Sequence, residues 1–463
     1  MSTPPHHDGR WAGAAIAAAT VTAAAAVSLL VPSAPAYDPW AWLVWGREVA
    51  ALELDTVDGP AWKPLPVAVT ALLSVAGAAA PGLWLVVARA GAIAAVLLAA
   101  RLAWRLAGGS RVAAAAAGAG VALSAGWAWH GAVGNSEGLF LALVLGAALA
   151  ATDDRHGRAL ALGVLAALIR PEAWPFLGAY GLWLWVRRPA LRGWAVAGAI
   201  ALAVLWFVPE WLGSGDALRS SARARVPNPG APATAARPLL ASLERAAAIP
   251  LPPLLAAALV PLAAAGARGA RIRWRAPVAP AAAVPAAAGL AWIALVALMA
   301  EVGYSGEPRY HVPGAALIAV SGGVGLARLA RARAGTALAV TAVAVFAAAR
   351  VDGMASELRR AADEAALFGS LDEAVGRAGG RAAVLACGRP VTGPLRGPAL
   401  AWALHVPKRR VAFEAAAGGV VFRSRIRTTA SVQPPVPDGM PVIARSARWE
   451  VRAPCAADRV RHP

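Results

Sequence analysis

Apolar runs long enough to approach or cross a hydrocarbon core of ~30 Å recur through the first three quarters of the chain. They predict spans at about 11–31, 84–106, 111–127, 137–152, 157–170, 173–187, 193–209, 249–267, 276–300, 311–329 and 335–350. Polar connectors between them fall into two alternating sets. Arg101–Arg111, Asp153–Arg158, Arg187–Arg192, Arg268–Arg275 and Arg328–Arg333 are strongly basic. Trp127–Glu137, the Arg170-Pro171-Glu172 break, Pro209–Ile249 and Glu301–Tyr310 are poorer in net positive charge. Basic connectors stay on the cytoplasmic side, which places the second set outside. The odd number of spans then puts the N-terminus inside and the tail from Val351 outside.

Three stretches need separate treatment. Pro64–Pro81 is as apolar as a span, yet a crossing there would invert every later connector. It is expected to lie along the outer interface instead. The segments flanking Arg170-Pro171-Glu172 are short, and about fifteen helical residues rise only ~22 Å. The break is therefore expected below the outer surface, with its charges facing protein or a wet cavity. The first apolar run is followed by Ala34-Pro35-Ala36, which has the form of a signal-peptide cleavage site. The run is long for a signal peptide and only Arg10 precedes it as a basic residue, so it is taken as an uncleaved span.

After the last apolar run the pattern changes. Ser356–Ala378 reads as an amphipathic helix, Pro398–Leu404 as a short helix, and Arg381–Cys387, Arg410–Phe413, Gly419–Arg423 and Pro441–Ala444 as strands. The expected fold is an all-α polytopic membrane bundle of about eleven helices, residues 1–350, including an outer loop 32–83 with interfacial helices. A small extracytoplasmic α/β domain follows, residues 351–463. The expected location is the plasma (inner) membrane, multi-pass.

Composition agrees and removes one alternative. The chain is 59% hydrophobic, too apolar for a soluble globular protein of 463 residues. Its net charge of +19 resides in short Arg-rich connectors, which argues for membrane topology and against a nucleic-acid partner. Lys63 and Lys408 are the only lysines among 44 basic residues, which draws attention to position 63. Cys387 and Cys455 both fall in the tail, where an oxidising exterior permits a disulfide. No Cys/His spacing points to zinc; no cofactor is firmly expected, and a divalent metal stays open without a motif to support it.

Most candidate chemistry lies in the first outer loop, Tyr37–Pro66. It opens Tyr37-Asp38-Pro39-Trp40-Ala41-Trp42, carries Trp45, Glu48, Asp55 and Asp58, and closes Trp62-Lys63-Pro64-Leu65-Pro66. Asp38 before Pro39 fits a helix N-cap, and it also fits a general base towards a hydroxyl. Lys63 can hold a lipid phosphate as a point charge. The Trp residues fit interface anchors or sugar-stacking faces. Asn135-Ser136-Glu137 equally fits a helix cap. Glu307 is an ordinary ion-pair candidate for Arg309. The long loop Pro209–Ile249, with Glu210, Asp216 and Arg219, is either a cover over a substrate or a plain connector.

An Asp soon after the first span, followed by Lys-Pro-x-Pro before an interfacial helix, resembles the first outer loop of the GT-C superfamily. These are membrane glycosyltransferases that use polyprenyl-phosphate sugars, among them protein mannosyltransferases and lipid A aminoarabinose transferases. Ile169-Arg170-Pro171-Glu172-Ala173 is similar to an Arg-Pro-Glu element of such enzymes, and Gly306-Glu307-Pro308-Arg309-Tyr310 to an Arg-Tyr element before a late span. The likeness runs loosely from Tyr37 to Gly323. Asp38 is followed by Pro39 where the family frequently pairs acidic residues. The Trp-Trp-Asp-Tyr-Gly signature of oligosaccharyltransferases is absent, which argues against that branch.

The resemblance implies inverting transfer in an outward cavity. Asp38 takes the place of the base. Lys63, Arg309 and Arg170 take the donor phosphate. Trp42, Glu48, Trp62, His130, Glu137, Glu172 and Tyr310 are candidate substrate contacts. The partners implied are a polyprenyl-phosphate-linked sugar, with decaprenyl-phosphate mannose or arabinose as analogues, a glycan, lipid or protein hydroxyl acceptor, and membrane lipids. A transporter or flippase of lipid-linked glycans, or a membrane scaffold for envelope assembly, is the alternative. The first would need charges at several depths, and the second leaves Asp38 and Lys63 unexplained.

Overall fold

The computed structural model describes residues 8–269, 280–330, 333–414, 419–425 and 431–455. The basic connector Arg268–Arg275 lies largely outside these. Five described helices are long and apolar enough to cross a membrane: Gly13–Leu30, Pro64–Leu106, Pro189–Ser214, Val284–Glu301 and Pro308–Leu329. Pro238–Ala247 and Pro252–Ala267 form a further pair bent by 100°. Arg111–Ala122 and Glu137–Thr152 are apolar but shorter. Length and apolarity thus single out five of the eleven expected spans, and the chain is a multi-pass membrane protein with a small C-terminal sheet.

The connectors sort to two ends. At one end Arg105 pairs with Asp153 at 2.7 Å and Arg188 with Asp154 at 3.2 Å, so three of the basic connectors meet. Asp38, Lys63, Glu137, Arg170, Glu210 and Arg309 gather in one linked region away from these pairs. Close helix contact supports this arrangement. A Cβ at Gly91 would stand 2.6 Å from the Leu139 backbone, and one at Gly138 would stand 2.7 Å from that of Ala92. Ala80–Leu106 and Glu137–Thr152 therefore touch backbone to backbone, which fixes where Glu137 begins its helix.

Pro64–Pro81 forms the first, bent part of Pro64–Leu106. A helix over Pro64–Leu73 passes through a 3-10 segment, Ser74–Ala79, into Ala80–Leu106. Gly77 at φ 55° bends the chain there, a conformation that favours glycine.

The C-terminal region corrects two strand expectations. Arg381–Cys387 belongs to a helix, Gly380–Cys387. Its Ala-rich content favours helix over the strand that its short apolar run implied. Arg410–Phe413 contributes only the end of a 3-10 turn and a single bridge from Ala412 to Val391. The helix expected over Ser356–Ala378 is divided, because Arg333–Gly369 ends before Leu371–Arg377 begins. The sheet comprises β1 (Pro390–Thr392), β2 (Val420–Arg423), β3 (Val442–Arg445) and β4 (Glu450–Arg452), in the order β1-β2-β4-β3. β1 and β2 run parallel with Val391 opposite Val421, and the other pairs are antiparallel. Cys387 and Cys455 are joined by a disulfide.

One apolar core crosses from bundle to sheet. Trp40, Trp42 and Trp45 of the helix Tyr37–Ala50 cluster with Trp84, Leu400, Phe422 and Trp449. That helix is a buried wedge, with Trp42 and Trp45 no more than 1% exposed, so its tryptophans are core residues rather than interface anchors. Polar contacts secure the same junction. Lys408 reaches Asp58 at 2.6 Å, Arg409 reaches Asp55 at 2.5 Å, and Arg47 stacks on Trp402.

Candidate active site

Proline sets the backbone at three site positions. A residue before proline is driven out of the helical region, so each X-Pro step ends one element and starts another. Lys63 before Pro64 has φ −139° and ψ 104°; Arg170 before Pro171 has φ −140° and ψ 120°. Glu307 before Pro308 is also non-helical, which starts the helix carrying Arg309 and Tyr310 at its first turn. Asp38 lies in the first turn of Tyr37–Ala50, and Glu137 is the first residue of Glu137–Thr152. Carboxylates are favoured at such helix starts.

These breaks bring distant residues together. Arg309 Nη1 donates to Asp38 Oδ2 at 2.9 Å, across 271 positions of sequence. Arg170 Nη2 donates to Glu137 Oε1 at 2.6 Å, Nη1 reaches Glu172 at 3.4 Å, and the guanidinium stacks on Tyr310 at 4.8 Å. Lys63 Nζ lies 5.0 Å over the Trp42 ring and donates to Ser136 Oγ at 3.4 Å. Asn135 Nδ2 donates to His130 Nδ1 at 2.9 Å.

The capping alternatives do not hold. Asp38 is inside its helix and its carboxylate is held by Arg309, while Ser136 makes no side-chain cap. The carboxylate on Arg309 is Asp38 rather than Glu307.

A cavity of about 530 Å³ opens on this cluster. Of the sequence-derived candidates, Asp38, Lys63, Arg309 and Tyr310 line it. Arg170, Trp42 and His130 stand behind them, each in contact with a lining residue, and Glu137 stands behind Arg170. Glu172 reaches the cluster through Arg170. Glu48 and Trp62 sit elsewhere. Glu48 accepts from the Asp55 backbone N–H at 3.0 Å, and Trp62 donates its indole N–H to the Leu205 carbonyl.

Burial alone would raise the Asp38 carboxyl, but Arg309 and Lys63 outweigh it and hold the group below the usual carboxylate range. Asp38 is therefore ionised at neutral pH. Burial, helped by Arg170, pushes the Lys63 ammonium down to about 8. Burial takes His130 down to about 4, leaving it neutral, and lifts Glu48 to about 8. Lys63 stands out in this set. Among the described residues, its ammonium has no carboxylate within hydrogen-bonding reach and retains donors for a ligand.

The long loop after Pro209 closes one side. Arg219 pairs with the buried Glu210 at 3.0 Å and donates to the Pro60 carbonyl at 2.9 Å, tying it to the first loop. Arg223 and Asn228 of this segment line the cavity.

Sequence reasoning missed another wall. Arg396, Phe413 and Phe368 come from the C-terminal third, where no motif drew attention. Composition did hold one signal. Lys408, the second of the two lysines, packs under this wall on Phe413 and against Gly397. Among the described residues, no group of three or more His, Cys, Asp or Glu is placed to hold a metal ion.

Two solved structures share this architecture. The chain is similar to ArnT from Cupriavidus metallidurans bound to undecaprenyl phosphate, with 16% identity and a TM-score of 0.56, over 97% of this chain and 99% of that one. It is likewise similar to the same protein in the apo state, with 15% identity and a TM-score of 0.52, over 96% and 99%. ArnT is an aminoarabinose transferase of the GT-C class, so the likeness implied by the motifs extends, as fold, along nearly the whole chain. No protein-family model matches the chain, and no curated protein sequence does.

Proposed function

We propose that the chain is an integral-membrane glycosyltransferase that moves a sugar from a polyprenyl-phosphate donor to a hydroxyl acceptor, with inversion, in a cavity on the outer face. The observation that carries this reading is the meeting of Asp38, Arg309 and Lys63 on one cavity wall. The fold shared with a protein crystallised with undecaprenyl phosphate supports the donor class.

In the reaction the acceptor oxygen forms a bond to the anomeric carbon as the bond from that carbon to the phosphate oxygen breaks. The electron pair leaves with the lipid phosphate, and the hydroxyl proton passes to Asp38. A carboxylate held this low is a weak base. It suffices because the attacking oxygen becomes strongly acidic once its new bond is forming. The leaving phosphate gains charge, and Lys63 supplies a cation where that charge develops. Arg309 fixes the Asp38 carboxylate and stands ready to share the phosphate. Helices that start at Tyr37, Pro64, Glu137 and Pro308 add the positive ends of their dipoles. Three of the basic connectors meet away from the site, which supports an outward cavity because basic loops stay on the cytoplasmic side.

Asp38→Asn separates this reading from a structural role. The variant removes the base and also releases Arg309 from its ion pair. Transfer from labelled polyprenyl-phosphate sugars should fall by about 10²–10⁴-fold, the usual worth of a general base. Binding of polyprenyl phosphate should hold or tighten. Retained transfer would remove Asp38 from the mechanism.

A further inference from the structure

The cavity has a second cationic station that the transfer reaction, as described, does not use. Arg396 is 1% exposed, lines the same cavity as Asp38 and Lys63, and has no hydrogen-bond partner on Nε, Nη1 or Nη2 among the described residues. A buried guanidinium with all three nitrogens unmatched is costly, and such a group persists where a ligand completes it. Its surroundings hold the guanidinium closely without neutralising it. Gly393 stands so close that a Cβ there would lie 2.5 Å from Nη1. The nearby Lys408 is already matched by Asp58. Leu395, just before it, holds φ 67°, a backbone conformation rare for leucine.

Charge in the cavity is unbalanced in the same sense. Its lining carries five Lys or Arg against three Asp or Glu. A polyprenyl-phosphate sugar brings one phosphodiester charge, which Lys63 meets, while Arg309 is occupied by Asp38. Arg396 enters from the C-terminal region, far in sequence from Asp38, Lys63 and Arg309, and the single donor charge leaves it without a counter-ion. An anion there belongs to a second molecule.

We propose that Arg396 binds a phosphate or carboxylate group of the acceptor, so that the enzyme selects an acidic acceptor and presents its hydroxyl to Asp38. This rests on the glycosyltransferase reading of the cavity. The C-terminal domain is then part of the acceptor site, and an acidic acceptor draws it and the bundle together. The bidentate fork of arginine suits either oxyanion.

The test uses the full chain in detergent, with polyprenyl monophosphate as the donor-site probe and inorganic phosphate as the acceptor-site probe. With the lipid saturating, wild type should bind phosphate saturably. Arg396→Gln should weaken that binding roughly 10- to 100-fold, the worth of lost charge-assisted hydrogen bonds. It should leave the lipid affinity unchanged, and Arg396→Lys should recover part of the loss. The thermal midpoint of Arg396→Gln should equal or exceed that of wild type, because an unmatched buried charge has been removed. The proposal is overturned by phosphate binding that Arg396→Gln does not alter, by no phosphate binding to wild type, or by a loss in lipid affinity instead. A collapse of the thermal midpoint also overturns it, since the guanidinium would then serve the fold. Failure of wild type to bind the lipid sinks the donor reading alone. Phosphate binding by wild type and Arg396→Gln without lipid then judges Arg396.

Discussion

Replacing Lys63 with methionine tests the donor site at the cation that meets no carboxylate among the described residues. The substitution keeps an unbranched stem over Trp42 and removes only the ammonium. That ammonium makes one long hydrogen bond, to Ser136 at 3.4 Å, and one cation–π contact at 5.0 Å. The contact is worth about 0.5–2 kcal/mol. Burial, which holds the amine at about 8 rather than its ordinary 10.5, opposes it. Holding the amine at about 8 rather than 10.5 costs about 3 kcal/mol, so Lys63→Met should raise folding stability at pH 7 by about 1–3 kcal/mol. Binding should weaken instead, since charge-assisted hydrogen bonds to a phosphate contribute about 1.5–3 kcal/mol, roughly 10- to 150-fold in Kd.

The same amine gives the test a pH signature. Below about pH 8 the free protein carries Lys63 charged and the affinity is full. Above it the amine must regain a proton to bind phosphate, so Kd should rise about tenfold per pH unit. Folding stability moves the other way. Between about 8 and 10.5 the unfolded chain holds a proton that the folded chain has released, so this residue's contribution becomes more favourable as pH rises. Equilibrium binding of polyprenyl phosphate in detergent between pH 7 and 9.5 reads the first effect. A Lys63→Met Kd within twofold of wild type, or a wild-type Kd flat across that range, refutes the assignment.

Two further outcomes follow from the geometry. Arg170→Met leaves Glu137 buried without its cation and should destabilise the protein by about 3–5 kcal/mol, read as a lowered thermal midpoint in detergent. Because Cys387 and Cys455 are bonded to each other, single cysteines introduced at Pro60 and at Arg188 report cleanly on sidedness. Impermeant reagents added outside intact cells should label the first and spare the second. Labelling of both from outside would contradict the outward cavity.

Much of the site was legible because proline writes its breaks into the sequence. Lys63-Pro64, Arg170-Pro171 and Glu307-Pro308 are local signals, and each starts a helix where the motif predicts one. Pairings were less legible. The partner of Arg309 lies 271 residues away, and only the fold selects Asp38 over the adjacent Glu307. The tryptophans of the first loop carried no signal distinguishing a lipid interface from a buried junction, since both reward large amphipathic rings. Trp40 packs on Phe368 and Trp402 of the C-terminal region, and Trp42 and Trp45 pack on Trp84 and Trp62, partners that only the fold supplies. The strand expectation at Arg381–Cys387 failed because a short apolar run fits either period. Arg396 was invisible for the opposite reason. In a chain so rich in arginine, one more carries no signal until its lack of a partner is seen.

The most direct test of the account is an experimental structure of the full chain with a polyprenyl-phosphate sugar or polyprenyl phosphate bound. The account predicts phosphate oxygens within about 3 Å of Lys63 Nζ, the distance of a charge-assisted hydrogen bond, with the Asp38 carboxylate open to the same cavity. A phosphate seated away from Lys63 and Arg309, or a lipid that never enters this cavity, would contradict it.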